Sequence, residues 1–153
     1  GLTNISAVCR DASMPDQESE ESADLVIADL PCSGLGVIGK KPDLKYKASP
    51  DGIESLVRLQ REILSCAQSY VKPGGTLVYS TCTVNPAENM DNVHWFLEQY
   101  PEFSPDDIHD RLCPELQDSV MEKGCIQLLP GVHKSDGFFI ARLAKRHGGD
   151  QEL

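Results

Sequence analysis

Residues 78–89 read VYSTCTVNPAEN. Leu77, Val78 and Tyr79 are the apolar end of a buried strand, and Asn85-Pro86-Ala87-Glu88 looks like a helix start with a capping box. Between them, at the strand's carboxyl end, lies a small thiol, Cys82. A second stretch, VIADLPCSG from Val26 to Gly34, repeats the design with Cys32. Open α/β sheets bind ligands in the crevice outside the carboxyl ends of their strands. Two cysteines placed there raise the expectation that they face one another.

Working outward, Ala23–Leu30 is almost continuously apolar, as in a strand buried on both faces of a parallel sheet. Ser49-Pro50-Asp51 caps a helix: a hydroxyl cap, proline in the first turn, then an acid. Ile53, Leu56, Val57, Ile63, Leu64, Ala67, Tyr70 and Val71 continue it at helical spacing, and Lys72-Pro73-Gly74-Gly75 stops it. Thr76–Tyr79 is the next strand. Met90, Val93, Phe96, Leu97 and Tyr100 form the apolar stripe of a second helix. Leu128–Leu143 reads as strand, turn and strand, with Ser135-Asp136-Gly137 as the turn, and Ile5–Cys9 is a short strand candidate. This order predicts an α/β fold, a mostly parallel sheet ending in an antiparallel hairpin.

Composition narrows the function. At 153 residues, 40% hydrophobic and 25% charged, the chain has the make-up of one globular domain. No apolar run reaches the ~20 residues of a membrane helix, and no signal peptide is visible, so no membrane partner and a cytoplasmic location are expected. The six cysteines form no C-x-x-C pair, which argues for reduced thiols and against a zinc site. His94, His109, His133 and His147 have no metal-ligand spacing, so no metal is expected. The net charge of −10 is adverse to nucleic acid, but Gly39–Lys47 (GKKPDLKYK) is locally basic. Lys40, Lys41, Lys45 and Lys47 are the candidates for contact with an RNA backbone.

ADLPCSGLGVIGKKPDLKY and GGTLVYSTCTVNPAEN together resemble the two cysteine motifs of the RNA (cytosine-5)-methyltransferases, in particular the Sun/Fmu branch that methylates small-subunit ribosomal RNA. LLPGVHKSDGFFIARL is similar to that family's C-terminal hairpin, and CRDAS to its segment near the cofactor adenine. The resemblance runs from Gly1 to about Lys145. It implies a Rossmann-like class I methyltransferase sheet, ordered 3-2-1-4-5-7-6, here lacking its first two strands. Residues 1–145 would be the C-terminal portion of the catalytic domain and 146–153 a flexible tail. The family's glycine-rich cofactor loop and ribose-binding acid have no counterpart in the chain.

The resemblance also implies the chemistry. Cytosine C5 is a weak nucleophile, and a thiolate adding to C6 activates it towards the methyl group of S-adenosylmethionine. Cys82 matches the family's nucleophile and Cys32 its second cysteine, implicated in product release. Asp29 matches the acidic residue at the reaction centre, with Asp11 and Pro31 grouped with it on the cofactor side. Ribosomal RNA is the implied partner, with transfer RNA an alternative substrate and an inactive scaffold an alternative function. A cysteine hydrolase ranks last, because no histidine can be argued to lie near Cys82. Cys9, Cys66, Cys113 and Cys125 read as core or incidental thiols. Asp29 and Asp11 also have plain turn readings, and Trp95 is expected to pack rather than stack on a base. Loss of the first two strands would leave an open edge at the Val26 strand, through which the chain would pair with a second copy or with its own Ile5–Cys9 segment.

Overall fold

A computed structural model describes residues 1–47 and 49–147, with the side chains of Lys45 and Lys47 outside that description. Three elements dominate. Strand β1 covers Ala23–Asp29 and strand β2 covers Val71–Thr81. After the four-residue helix α1 (Leu44–Lys47), helix α2 covers Pro50–Tyr70 and joins the two strands. Ser49 caps α2 by accepting from the Gly52 amide at 3.2 Å, as the sequence predicts. Its apolar face buries Ile63, Leu64 and Ala67 against the sheet, together with one polar side chain, Gln60.

A crossover through α2 makes β1 and β2 parallel neighbours, in register from Leu25 opposite Thr76 to Asp29 opposite Ser80. Lys72–Gly75, read as the helix stop, loops out between the Ala23–Val71 and Leu25–Thr76 pairs, with Gly74 at φ +80°. Helix α3 (Met90–Gln99) follows, then β3 (Phe103–Pro105), the short helix α4 (Pro114–Gln117), β4 (Val120–Glu122), β5 (Cys125–Leu128) and β6 (Phe138–Lys145). The sheet order is β1-β2-β6-β5-β4, with β3 also on β6. This matches the 4-5-7-6 end of the expected seven-stranded sheet. The core gathers on the helical side: Leu77, Tyr79, Phe139, Leu143 and Phe96 are each at most 1% exposed. Phe96 packs against Tyr100 in a tilted pair and against Phe103 edge to face, at centroid distances of 4.9 and 5.2 Å.

Four expectations change. The parallel part of the sheet is confined to β1–β2, the pair joined by the α2 crossover; β6 is the return strand of the β5–β6 hairpin and inserts beside β2 running the opposite way, so it meets β2, β3 and β5 antiparallel. Among the described residues Ile5–Cys9 forms no strand and pairs with none; Ile5 and Val8 are 68% and 65% exposed, so the alternative in which it folds back onto β1 fails. β1 is not buried on both faces: Leu25 and Ile27 are 51% and 65% exposed, since nothing in the described chain covers that side. The hairpin's first strand lies ahead of the quoted motif, at Cys125–Leu128. Of the predicted tail, Arg146 and His147 follow β6 without regular structure, and 148–153 lie outside the described residues.

Candidate active site

The parallel register sets the site. β1 ends at Asp29 and β2 at Thr81, side by side, so the loops leaving them start from the same sheet edge. The Leu30 amide donates to the Ser80 carbonyl at 3.1 Å, carrying the pairing one residue past the strand. Cys32 and Cys82, fifty positions apart, thereby reach an Sγ–Sγ distance of 3.2 Å. Both are half-buried. Burial first, and the neighbouring Cys82 sulfur second, push the Cys32 thiol up to about 12. Cys32 therefore stays S–H at neutral pH, positioned to donate to the Cys82 sulfur.

The residues after the two cysteines are bonded as well. Ser33 Oγ and Thr83 Oγ1 lie 2.9 Å apart. Behind them sits Glu88, a carboxylate with no exposed surface. It accepts from the Ser33 amide at 2.8 Å, the Ser33 hydroxyl at 2.5 Å, Gln60 Nε2 at 3.1 Å and Asn85 Nδ2 at 3.3 Å. Gln60 Nε2 also donates to the Pro31 carbonyl at 2.9 Å, and Asn92 Nδ2 donates to Gln60 Oε1 at 2.8 Å. Sequence reasoning assigned Glu88 to a capping box. Asn85–Glu88 instead starts a 3-10 turn, capped by Asn85 Oδ1 on the Ala87 amide, and the Glu88 side chain turns inward. A buried, fully bonded glutamate has the same sequence pattern as a capping one, so only the tertiary fold separates them.

A backbone seam closes the far side of the site. The Gly36 amide donates to the Cys82 carbonyl at 3.0 Å, and the Gly137 amide donates to the Gly36 carbonyl at 2.8 Å. A Cβ on Gly36 would collide with the backbone of both Gly137 and Cys82, which is why glycine is required there. Lys40 reinforces the seam through Asp136 at 2.5 Å.

The other predicted residues separate into two groups. Asp29 is exposed at the end of β1 and accepts from Ser80 Oγ at 2.9 Å. It lines a cleft of about 310 Å³ with Arg10, Ala12, Ala28, Leu30 and Ile63. Pro31 is exposed just beyond it. Asp11 is exposed, between the cleft-lining Arg10 and Ala12, and its Oδ1 accepts from the Ser13 amide and hydroxyl at 2.9 and 2.7 Å. Those bonds, the hydroxyl first, hold its carboxyl below the usual range. Lys40 and Lys41 are exposed, whereas the side chains of Lys45 and Lys47 lie outside the description. Trp95 packs, with the Arg61 guanidinium 5.0 Å from its ring centre. Cys125 is core, Cys66 donates to the Ser13 carbonyl at 3.2 Å, and Cys9 and Cys113 are exposed. Among the described residues, no group of three or more His, Cys, Asp or Glu could hold a metal, and no helix is long and apolar enough to cross a membrane.

The model of the 16S rRNA methyltransferase RsmB/F family matches residues 1–144. The chain belongs to that family. It is 42% identical over 147 residues to the probable ribosomal RNA small subunit methyltransferase B of Bacillus subtilis, covering 95% of this chain and 33% of that protein. It is 37% identical over 145 residues to the ribosomal RNA small subunit methyltransferase F of Cronobacter sakazakii, covering 95% and 29%. The chain thus spans about a third of the length of these RsmB/F relatives. Among solved structures, NSun6 from Pyrococcus horikoshii with SFG superposes with a TM-score of 0.69 at 27% identity, over 94% of this chain and 35% of that one. PH0851 superposes with a TM-score of 0.74 at 40% identity, over 82% and 27%. The RsmB/F family supports the class of sheet expected from the two cysteine motifs: a Rossmann-like methyltransferase fold.

Proposed function

We propose that this chain carries the methyl-acceptor chemistry of an S-adenosylmethionine-dependent enzyme that methylates C5 of a cytosine in small-subunit ribosomal RNA, through a covalent Cys82 adduct. The observation that carries the reading is the pair of thiols 3.2 Å apart at the carboxyl ends of two adjacent parallel strands. A packed structural thiol needs no partner at that distance. A nucleophile and a neutral proton donor do.

The steps assign work to this chain's own groups. The Cys82 thiolate adds to C6; the C5=C6 π pair moves to C5, which becomes nucleophilic. S-adenosylmethionine, when bound, supplies the methyl group that C5 takes. After a base removes the C5 proton, that C–H pair re-forms the C5=C6 bond and the C6–S bond breaks, returning the thiolate. Cys32, held protonated by burial, stabilises the departing Cys82 sulfur by hydrogen bonding to it. Asp29 would hold the cytosine edge near the cofactor. The cleft beside Asp29 fits part of that cofactor: Ala28, Leu30 and Ile63 are apolar walls for a flat ring, with a carboxylate at the rim. Asp11, between the cleft-lining Arg10 and Ala12, and Pro31, two residues after Asp29, are the further residues assigned to the cofactor. The basic segment Lys40–Lys47 follows the RNA backbone, ribosomal RNA in preference to transfer RNA, and a cytoplasmic location accords with such a substrate. The open β1 edge pairs copies of the isolated chain.

The test is methyl transfer by the full-length protein to small-subunit ribosomal RNA lacking its own modification, with the product base identified by bisulfite sequencing. C5 methylation at one cytosine, lost in Cys82→Ala, supports the reading. Methylation at another atom, or full activity in Cys82→Ala, overturns it.

A further inference from the structure

The carboxylate of Glu88 has no exposed surface, and all four of its described hydrogen-bond donors are neutral. Burying a charge without a cation is costly until hydrogen bonds offset it. The fold alone does not require such a group, since a hydrophobic side chain of similar volume fills a core at lower cost. Its surroundings do require an acceptor. Ser33 N and Gln60 Nε2 converge on Oε1, while Ser33 Oγ and Asn85 Nδ2 converge on Oε2. Only a carboxylate accepts on both oxygens with no hydrogen of its own.

What the carboxylate joins gives its role. Ser33 follows Cys32, and Asn85 lies on the loop leaving Cys82. Gln60 bonds the Pro31 carbonyl, just before Cys32. The Asn85 amide donates to Thr83 Oγ1, and the Thr83 hydroxyl in turn is left to donate to Ser33 Oγ, whose own proton goes to Glu88. A chain of hydroxyls thus runs from the residue after one cysteine to the residue after the other, polarised by one buried charge.

We propose that Glu88 is a positioning residue: through Ser33 it fixes the Cys32 thiol against the Cys82 thiol. The proposal rests on the two-cysteine reading above, but one of its readouts does not. In Glu88→Gln the shape is kept and one oxygen becomes an NH2 facing donors, so the hydroxyl chain must reverse or break.

The test uses the full-length protein with Glu88→Gln, Ser33→Ala and the double variant. The first readout is independent of activity: the rate at which diamide, a thiol oxidant, joins Cys32 and Cys82 in a disulfide, read by mass spectrometry. That bond requires the sulfurs to close from 3.2 Å to about 2.0 Å, so the rate reports their alignment. Both single variants are expected to slow it roughly ten- to a hundredfold, with the double variant no slower than Glu88→Gln. The second readout is turnover. Loss of alignment should lower kcat by a similar factor, leave KM for S-adenosylmethionine unchanged, and make covalent protein–RNA adduct accumulate, as an impaired Cys32 would. Unchanged disulfide rates in folded variants overturn the proposal, whatever the turnover. Should Glu88→Gln fail to fold, Ser33→Ala, which removes a single hydroxyl, decides on the same criterion. A wild-type protein that forms the disulfide quickly but never an RNA adduct removes the proposed function and leaves the positioning role standing.

Discussion

Cys82 and Cys32 each leave the carboxyl end of a strand, and the two strands are parallel neighbours. Each motif alone places a thiol after a strand; the shared sheet edge turns two thiols into a pair 3.2 Å apart. That juxtaposition was legible as an expectation, because two strands joined by a single helix are commonly parallel neighbours; the pairing itself came only with the fold. The raised Cys32 thiol was not legible, since it comes from burial and from the neighbouring sulfur, which exist only in the fold. It leads to a prediction. With the Cys32 thiol pushed up to about 12, iodoacetamide at pH 8 should alkylate Cys82 at least about tenfold faster than Cys32, as peptide mapping would read. Equal rates would mean that Cys32 is not held neutral. Cys125 offers a pH test of stability. Burial raises it from about 9 to about 12. A folded value above the unfolded one gives stability that is complete below about pH 9 and is lost as pH rises towards 12. The urea midpoint should therefore fall above pH 9, and fall less steeply in Cys125→Ala.

At the scale of elements, α2 and β2 were readable because their signals are local: Ser49 caps, Ile63 and Leu64 keep helical spacing, and Leu77 and Tyr79 share a buried face. Glu88 was misread because its partner set comes from α2 and the Cys32 loop, far away in the chain. Ile5–Cys9 was misread as a strand because apolar alternation shows that a segment suits a sheet, not that a partner is present. The Gly36–Gly137 seam is a further element-level feature that no local pattern shows. In Gly36→Ala, the new Cβ meets the Gly137 and Cys82 backbones, neither of which is a flexible side-chain end. The expected cost is ~1–3 kcal/mol, seen as a lower thermal midpoint, together with loss of activity as the Cys82 carbonyl moves. Phe139→Ala, in the fully buried core, should cost ~3–5 kcal/mol in urea denaturation.

For the molecule as a whole, the 4-5-7-6 part of the methyltransferase sheet forms around a core on the helical side, while the opposite face of β1 stays open. Leu25 and Ile27 stand on that face, 51% and 65% exposed, beside an unpaired strand edge. Exposed edges and apolar patches associate. This chain by itself should sediment as a concentration-dependent oligomer, and Ile27→Lys should shift it to monomer. A wild-type chain monomeric at high concentration would contradict that. The net charge of −10 is not evidence against an RNA substrate here, because the chain spans about a third of its relatives' length and the basic run beside Cys32 is local.

Covalent trapping shows whether Cys82 bonds to its substrate during turnover. Full-length protein is incubated with S-adenosylmethionine and small-subunit ribosomal RNA containing 5-azacytidine, then digested, and the RNA-bearing peptide is identified by mass spectrometry. The expected result is an adduct on the peptide containing Cys82, absent in Cys82→Ala and present in Cys32→Ala. An adduct on Cys32, or trapping that survives Cys82→Ala, would contradict it.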